Sequence, residues 1–282
     1  MLKTILLAAG LAAFPAAAEA SDVIKPSTVS RSATIAGGAT RTLKLSCRAP
    51  AIALNATATG LPAGADVRRS LPSAGVLGWT LELAAAESAA RQRLSASIRC
   101  LRLELPSGVR DVSLDAETRR SAGALLPAGS ARRTSVRCER GYTPTGYGVD
   151  TGGAQVRLAA ALANTRGWSF RLANAGGAAA QASVSIRCVR ARIEGLRRGA
   201  PVSLRLATRR ASFTDSVQAG RPVRHSCRVG EFSVATGVSL ASGIELQSAQ
   251  PAGPRGGLWR FHGGRGRVET QLLCLARDST FR

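Results

Sequence analysis

Short stretches of apolar–polar alternation run through the chain, separated by clusters of Gly, Pro, Ser and Asn. Period-two patterning puts alternate side chains on opposite faces of a strand. Leu94-Ser95-Ala96-Ser97-Ile98-Arg99-Cys100 and Ala182-Ser183-Val184-Ser185-Ile186-Arg187-Cys188 each predict an antiparallel strand, with Ile and Cys inward and Ser and Arg toward water. Thr42 to Cys47 and Thr134 to Cys138 predict strands that arrive at a cysteine. Trp79 to Leu83 and Trp168 to Leu172 predict central strands built on a large core side chain. The Ala-rich stretches Ala84 to Ala90 and Leu158 to Ala163 read as strand and loop, because of their Gly and β-branched neighbours. After Cys100 the apolar positions become Leu101, Leu103 and Leu105, and after Cys188 they become Val189, Ala191 and Ile193. A one-residue change of phase flips the buried face. A bulge or a crossing into new surroundings is therefore expected there, with unit boundaries near Pro106-Ser107-Gly108 and Gly195.

The pattern repeats three times. The first cysteines, Cys47, Cys138 and Cys227, are 91 and 89 residues apart, and the second, Cys100, Cys188 and Cys274, are 88 and 86 apart. One Trp lies between each pair: Trp79, Trp168 and Trp259. These are all the Cys and Trp of the chain. A turn glycine (Gly38, Gly129, Gly220) precedes each first Cys, and Thr28, Thr118 and Thr208 are spaced by 90. Such periodicity marks a repeat architecture. About 87–90 residues with regular turn signals fit an all-β fold of three tandem small antiparallel β-sandwich (Ig-like) modules, over 21–106, 107–195 and 196–282. With 6 Phe, 3 Trp and 2 Tyr the cores are light, so a staple is expected. Of the fifteen possible pairings of six cysteines, the repeat selects Cys47–Cys100, Cys138–Cys188 and Cys227–Cys274.

Gly129…Cys138-Glu139-Arg140-Gly141…Gly167-Trp168…Cys188 and Gly220…Cys227-Arg228-Val229-Gly230…Trp259…Cys274 resemble a segment of bacterial exported proteins that reads turn-Gly, strand, Cys-Pro-x-Gly, Gly-rich turn, Gly-Trp, strand, Cys. The first repeat departs from it with Pro50, and no repeat keeps Pro after the first Cys. The run of glycines is reduced to Gly146 and Gly148, to Gly60, or to Gly237. The resemblance implies a disulfide-closed β module and nothing more.

Residues 1–20 read as a signal peptide: Lys3, an apolar run to Phe14, and the cleavage pattern Ala18-Glu19-Ala20, with Ser21 as the mature start. A periplasmic or extracellular location is expected, with no transmembrane segment in the mature chain. Charge changes the picture further. Lys and Arg number 39 against 17 Asp and Glu, a net +22, and only Lys3, Lys25 and Lys44 are lysines. Arginine suits bidentate contact with acidic polymers, although a GC-rich genome also favours it.

Candidate chemistry is sparse. His225-Ser226-Cys227 has the residue types of a nucleophile site, but neighbours on a strand face apart and Cys227 belongs to the repeat, so His225 reads as an exposed strand residue. His262 lies in a Gly-rich turn, Phe261 to Gly266. Asp111, Asp115 and Glu117 are the densest carboxylates and do not recur. The cysteines lack zinc spacing, so neither a metal nor a cofactor is expected. The basic pairs Arg119-Arg120, Arg132-Arg133 and Arg209-Arg210 stand out as the candidate polyanion-binding residues, with Arg197-Arg198 adding to the field; a solvated strand edge is the competing reading. The expected function is a non-enzymatic exported binding or surface-structural protein. Its candidate partners are an anionic polysaccharide, lipopolysaccharide or an envelope protein, with nucleic acid bound only by nonspecific electrostatics. The alternative is a secreted or periplasmic inhibitor or effector acting on another macromolecule through its loops.

Overall fold

The computed structural model describes residues 24–59, 61, 65–87, 90–104, 111–152, 155–194 and 206–276. The proposed signal peptide and the boundaries at Pro106-Ser107-Gly108 and Gly195 lie outside these residues. Among the described residues the protein is all β, with no helix and three disulfides.

The first third contains β1 (Ile24–Ile35), β2 (Thr40–Ser46), β3 (Ile52–Thr59), β4 (Ala65–Pro72), β5 (Gly78–Ala85) and β6 (Gln92–Leu103). These form two antiparallel triplets, β1-β6-β3 and β2-β5-β4. The middle third contains β7 (Asp111–Arg120), β8 (Ala124–Leu126), β9 (Ala131–Arg137), β10 (Thr143–Asp150), β11 (Val156–Ala163), β12 (Gly167–Asn174) and β13 (Ala180–Glu194). Its triplets are β7-β13-β10 and β9-β12-β11, and β8 extends the edge of β13. The last third contains β14 (Thr208–Val217), β15 (Val223–Ser226), β16 (Glu231–Ser239), β17 (Ile244–Ala252), β18 (Gly256–Gly263) and β19 (Gly266–Ala276), paired as β14-β19-β16 and β15-β18-β17. Cys47–Cys100, Cys138–Cys188 and Cys227–Cys274 join the residue that follows β2, β9 and β15 to the last strand of each set, with Cα separations of 5.8, 5.7 and 5.8 Å. Gly38, Gly129 and Gly220 have φ of 70°, 65° and 77°, the left-handed backbone that a glycine adopts without steric cost.

The sheets do not stop at the repeat boundaries. β4 continues onto β10, with Ser70 opposite Val149 and Arg69 opposite Asp150. β11 continues onto β16, with Ala161 opposite Val238 and Ala160 opposite Ser239. β17 in turn packs along β3, and Gln247 donates to the Leu61 carbonyl at 2.7 Å. Each set of strands therefore abuts the next through corresponding strands, and the third returns to the first. The result is a closed head-to-tail ring, in which β3, β10 and β16 meet one another at the centre.

Each central strand bulges at the same point, opposite the second cysteine. The extra residues are Leu54, Thr145 and Val234, all buried. The bulge was expected on the strand that carries the second cysteine, yet β6 and β13 run past Cys100 and Cys188 in unbroken register with β1 and β7. The change of phase instead follows the other expectation, a crossing into new surroundings. Leu101 and Val189 face the core shared among the sets of strands, while Cys100 faces the core of its own set.

The same shared packing overturns a second expectation. Arg99 and Arg187 point away from their own disulfides, as alternation requires, but they are only 4 % and 1 % exposed because a neighbouring set covers that face. Arg187 donates to the Gly75 carbonyl at 3.3 Å, and Arg99 donates to those of Gly253 and Pro254 at 2.7 and 3.1 Å. Burial lowers both guanidinium pKa values to about 10. The corresponding residue of the third set is Leu273, opposite Ala235 as Arg99 is opposite Asn55. There Gln271 accepts from the Ala163 N–H at 2.7 Å and Arg210 donates to its carbonyl at 3.5 Å. Each junction is thus closed by side chains of one set bonding to backbone of another, although Arg187 Nε is buried without a partner among the described residues.

Gly146, Gly148 and Gly237 stand in central strands, not in a Gly-rich turn. A Cβ on Gly146 would lie 2.1 Å from the Leu54 carbonyl oxygen, and one on Gly148 would lie 2.2 Å from that of Ser70. Glycine is needed there for backbone to pass against backbone.

Candidate polyanion interface

The three tryptophans are each 0 % exposed and fill the cores. The Trp79 indole N–H donates to Ser70 Oγ at 3.0 Å, and that of Trp259 donates to the Gly237 carbonyl at 3.1 Å. All six cysteines are spent in disulfides. Cys227, Cys274 and Glu231 cluster closely enough to suggest metal ligands, but both sulfurs are bonded to each other and the Glu231 carboxylate is held by Arg209. This donor set offers no thiolate to a metal. Asp115 pairs with Arg190 at 2.7 Å, and Glu117 accepts from the Glu139 N–H at 3.2 Å.

His225 is not the exposed residue that the sequence suggested. Ser226 faces out, while His225 faces the core where the first two sets place Leu45 and Val136, each two residues before its cysteine. Its ring stacks on Phe213 with centroids 3.8 Å apart and planes within 1°. Its Nε2 lies 3.0 Å from both carboxylate oxygens of Asp215, which also accepts from Thr270 at 2.8 Å. A His that keeps an inward position needs such a partner, which the sequence separation of ten residues hid.

The arginine doublets separate into different environments. Adjacent strand residues face apart, so the two side chains of each described doublet lie on opposite faces of their strand. Arg119 reaches Glu139 at 2.9 Å and Glu117 at 3.9 Å. Arg209 forms a two-pronged pair with Glu231, at 2.8 and 2.5 Å. That hydrogen bonding holds the Glu231 carboxyl below its ordinary pKa, with the Arg228 N–H adding to it. Arg210 is engaged at the β11 junction. The doublets Arg119-Arg120 and Arg209-Arg210 are also not equivalent. Thr28 and Thr118 lie opposite Arg99 and Arg187, but the third place, opposite Leu273, belongs to Arg210 and not to Thr208. A slip of two residues keeps every face, so alternation could not reveal it. Arg197-Arg198 lies outside the described residues.

Arg120, Arg132 and Arg133 are exposed. Arg132 stands opposite Leu172 at the open edge of β9, and Arg133 stands on the other face directly opposite Arg171 of β12. Arg137 follows on that face of β9, and Arg166 precedes the facing end of β12. Arg133, Arg137, Arg166 and Arg171 are all exposed, and no carboxylate meets them among the described residues. Like charges directly opposite on neighbouring strands destabilise a sheet. The corresponding face of the first set is balanced. Glu82 takes the place of Arg171, three residues past the Trp, and Arg69 bridges Glu82 at 3.4 Å and Asp150 at 3.0 Å. Sequence reasoning missed Arg171 and Arg137 because they are isolated in the chain, and only strand pairing brings them beside Arg133.

The three disulfides fit an oxidising, exported environment. Among the described residues no helix is long and apolar enough to cross a membrane. No family model matches this chain, and no curated protein matches it in sequence.

Proposed function

We propose that this is an exported, non-catalytic binding protein that holds an anionic envelope polymer, a polysaccharide or lipopolysaccharide, on the β9/β12 face. In this reading residues 1–20 direct export to the periplasm or beyond. The three disulfide-closed units are Ig-like sandwich modules that serve as a rigid frame. One observation carries the proposal: Arg133 directly opposes Arg171, with Arg137 and Arg166 nearby and no acid among the described residues to offset them. Two guanidinium groups in that relation cost folding stability and return it when a polymer brings phosphate or carboxylate groups between them. On the corresponding face of the first set Glu82 and Asp150 offset Arg69, so this face is not left unbalanced in every set.

The test is retention on immobilised heparin and on lipopolysaccharide-coated beads, eluted by salt. Wild type is expected to stay bound well past about 0.15 M salt. Arg133→Ala/Arg171→Ala is expected to elute earlier, with the slope of log affinity against log salt reduced by about two. Release of wild type by physiological salt, or an unchanged slope in the variant, overturns the reading.

A further inference from the structure

The first set of strands has an open groove whose counterpart in the third is filled by that set's own side chains. Among the described residues β1 pairs only with β6, and β2 only with β5, so each leaves one row of backbone N–H and C=O groups without a strand partner there. Between these two edges lies a groove of about 360 Å³, whose walls carry Arg31 and Thr34 from β1 and Arg41, Thr42, Leu43 and Lys44 from β2. It contains three cations, several hydroxyls and no carboxylate. Arg31 spans it and donates to the Lys44 carbonyl at 3.2 Å. That bond uses one guanidinium nitrogen and fixes the rest of the fork in the groove.

In the third set β14 and β15 take the places of β1 and β2. Ser27 opposite Cys100 corresponds to Arg209 opposite Cys274, so Arg31 corresponds to Phe213 and Ala33 to Asp215. There Phe213 lies flat on His225, and the Asp215 carboxylate crosses from β14 to β15 to meet the imidazole at 3.0 Å. The third set therefore supplies its own carboxylate between its leading and second strands. The first offers Ala33 at that position and cations around it.

We propose that the β1/β2 groove binds an extended acidic peptide segment of a partner protein, added as a strand along these edges, with its carboxylates on Arg31, Arg41 and Lys44. The open backbone rows favour a peptide over a sugar polymer, because a peptide alone brings N–H and C=O groups at strand spacing. Alternating acidic side chains then fall on one face, beside the groove cations. This site is separate from the β9/β12 face and does not depend on it.

The experiment titrates a fluorescent (Glu-Thr)₄ peptide with the intact, disulfide-bonded chain and reads anisotropy. Controls are the same peptide with alternate amides N-methylated, and a hyaluronate oligosaccharide of equal charge. N-methylation and the variant Arg31→Ala/Lys44→Ala are each expected to weaken binding about tenfold or more. Ala33→Asp places in the groove the carboxylate that Asp215 supplies elsewhere, and is expected to weaken the peptide by competing for the same cations. Arg133→Ala/Arg171→Ala is expected to leave the peptide unaffected, which separates this site from the polymer-binding face. Equal binding of the N-methylated peptide, indifference to Arg31→Ala/Lys44→Ala, or stronger binding of the oligosaccharide at the groove overturns the proposal.

Discussion

The guanidinium carbon of Arg187 lies 5.9 Å from the centre of the Trp79 ring, across the junction between the first two sets of strands. No carboxylate accompanies it, and its Nε has no hydrogen-bond partner among the described residues. A buried cation is compensated here by one carbonyl and one aromatic face. Removing its volume and removing its charge should therefore act in opposite directions. Arg187→Ala is expected to lose about 2–4 kcal/mol through the cavity it leaves. Arg187→Leu, which copies Leu273 at the corresponding place, is expected to stay within about 1 kcal/mol of wild type. Urea unfolding of both variants checks this, and a Leu variant weaker than the Ala variant contradicts it.

Gly146 tests the closeness of the central strands. Gly146→Ala places a carbon against the Leu54 carbonyl, a contact that only backbone movement can relieve. A loss above about 4 kcal/mol, or failure to fold, is expected. Gly75→Ala is the control, since nothing lies within 4 Å of its added carbon. Thermal melts of the two variants should differ widely.

The disulfides tie strands that are far apart in sequence. Cys138 and Cys188 are separated by 50 residues, so Cys138→Ser/Cys188→Ser frees a long loop in the unfolded chain. A loss of about 4 kcal/mol is expected from the chain-entropy model. Denaturant midpoints compared under oxidising and reducing conditions measure it. An unchanged midpoint means that the ring packing alone limits unfolding.

Acid should loosen the Arg209–Glu231 contact. The folded carboxyl pKa is depressed by hydrogen bonds from Arg209, so the unfolded state takes up protons first as pH falls. The contribution to stability is fully present above the unfolded value of about 4.3 and disappears as pH drops through the folded one. Wild type is therefore expected to exceed Glu231→Gln in stability at neutral pH, with the gap closing on acidification. Denaturant titrations at several pH values read the gap, and a gap that widens toward low pH refutes this account. Glu231 also accepts from Arg228, so the Gln variant reports both bonds.

Asp215 and His225 form the clearest polar insertion into a core face. Asp215→Ala leaves an inward imidazole stacked on Phe213 without its carboxylate, and a loss of about 1–3 kcal/mol is expected. His225→Leu combined with Asp215→Ala restores the apolar pattern of the other two sets. It is expected to recover most of that loss, as a double-mutant cycle would quantify.

Much of the architecture was legible in the chain. Alternation before Cys100 and Cys188 marks β6 and β13, because a half-buried strand must alternate. Equal spacing of Cys and Trp groups the cysteines by repeat, and the same pairs are bonded in the structure. Gly38, Gly129 and Gly220 mark left-handed turns ahead of the strands that lead to the first cysteines. These signals are local or periodic, so one sequence carries them.

The ring carries no such signature, since β4 beside β10 and β17 beside β3 are contacts between distant segments. Tertiary structure alone decided that Arg99 and Arg187 lie buried although alternation points them outward, that Gly146 and Gly148 are points of close passage, and that Asp215 completes His225. It also decided that Arg133 and Arg171 stand opposite each other, one on each of two paired strands. The physical reason is the same throughout. Period-two patterning specifies which face of a strand a residue occupies, but whether that face meets water or another part of the chain depends on packing that no single strand encodes.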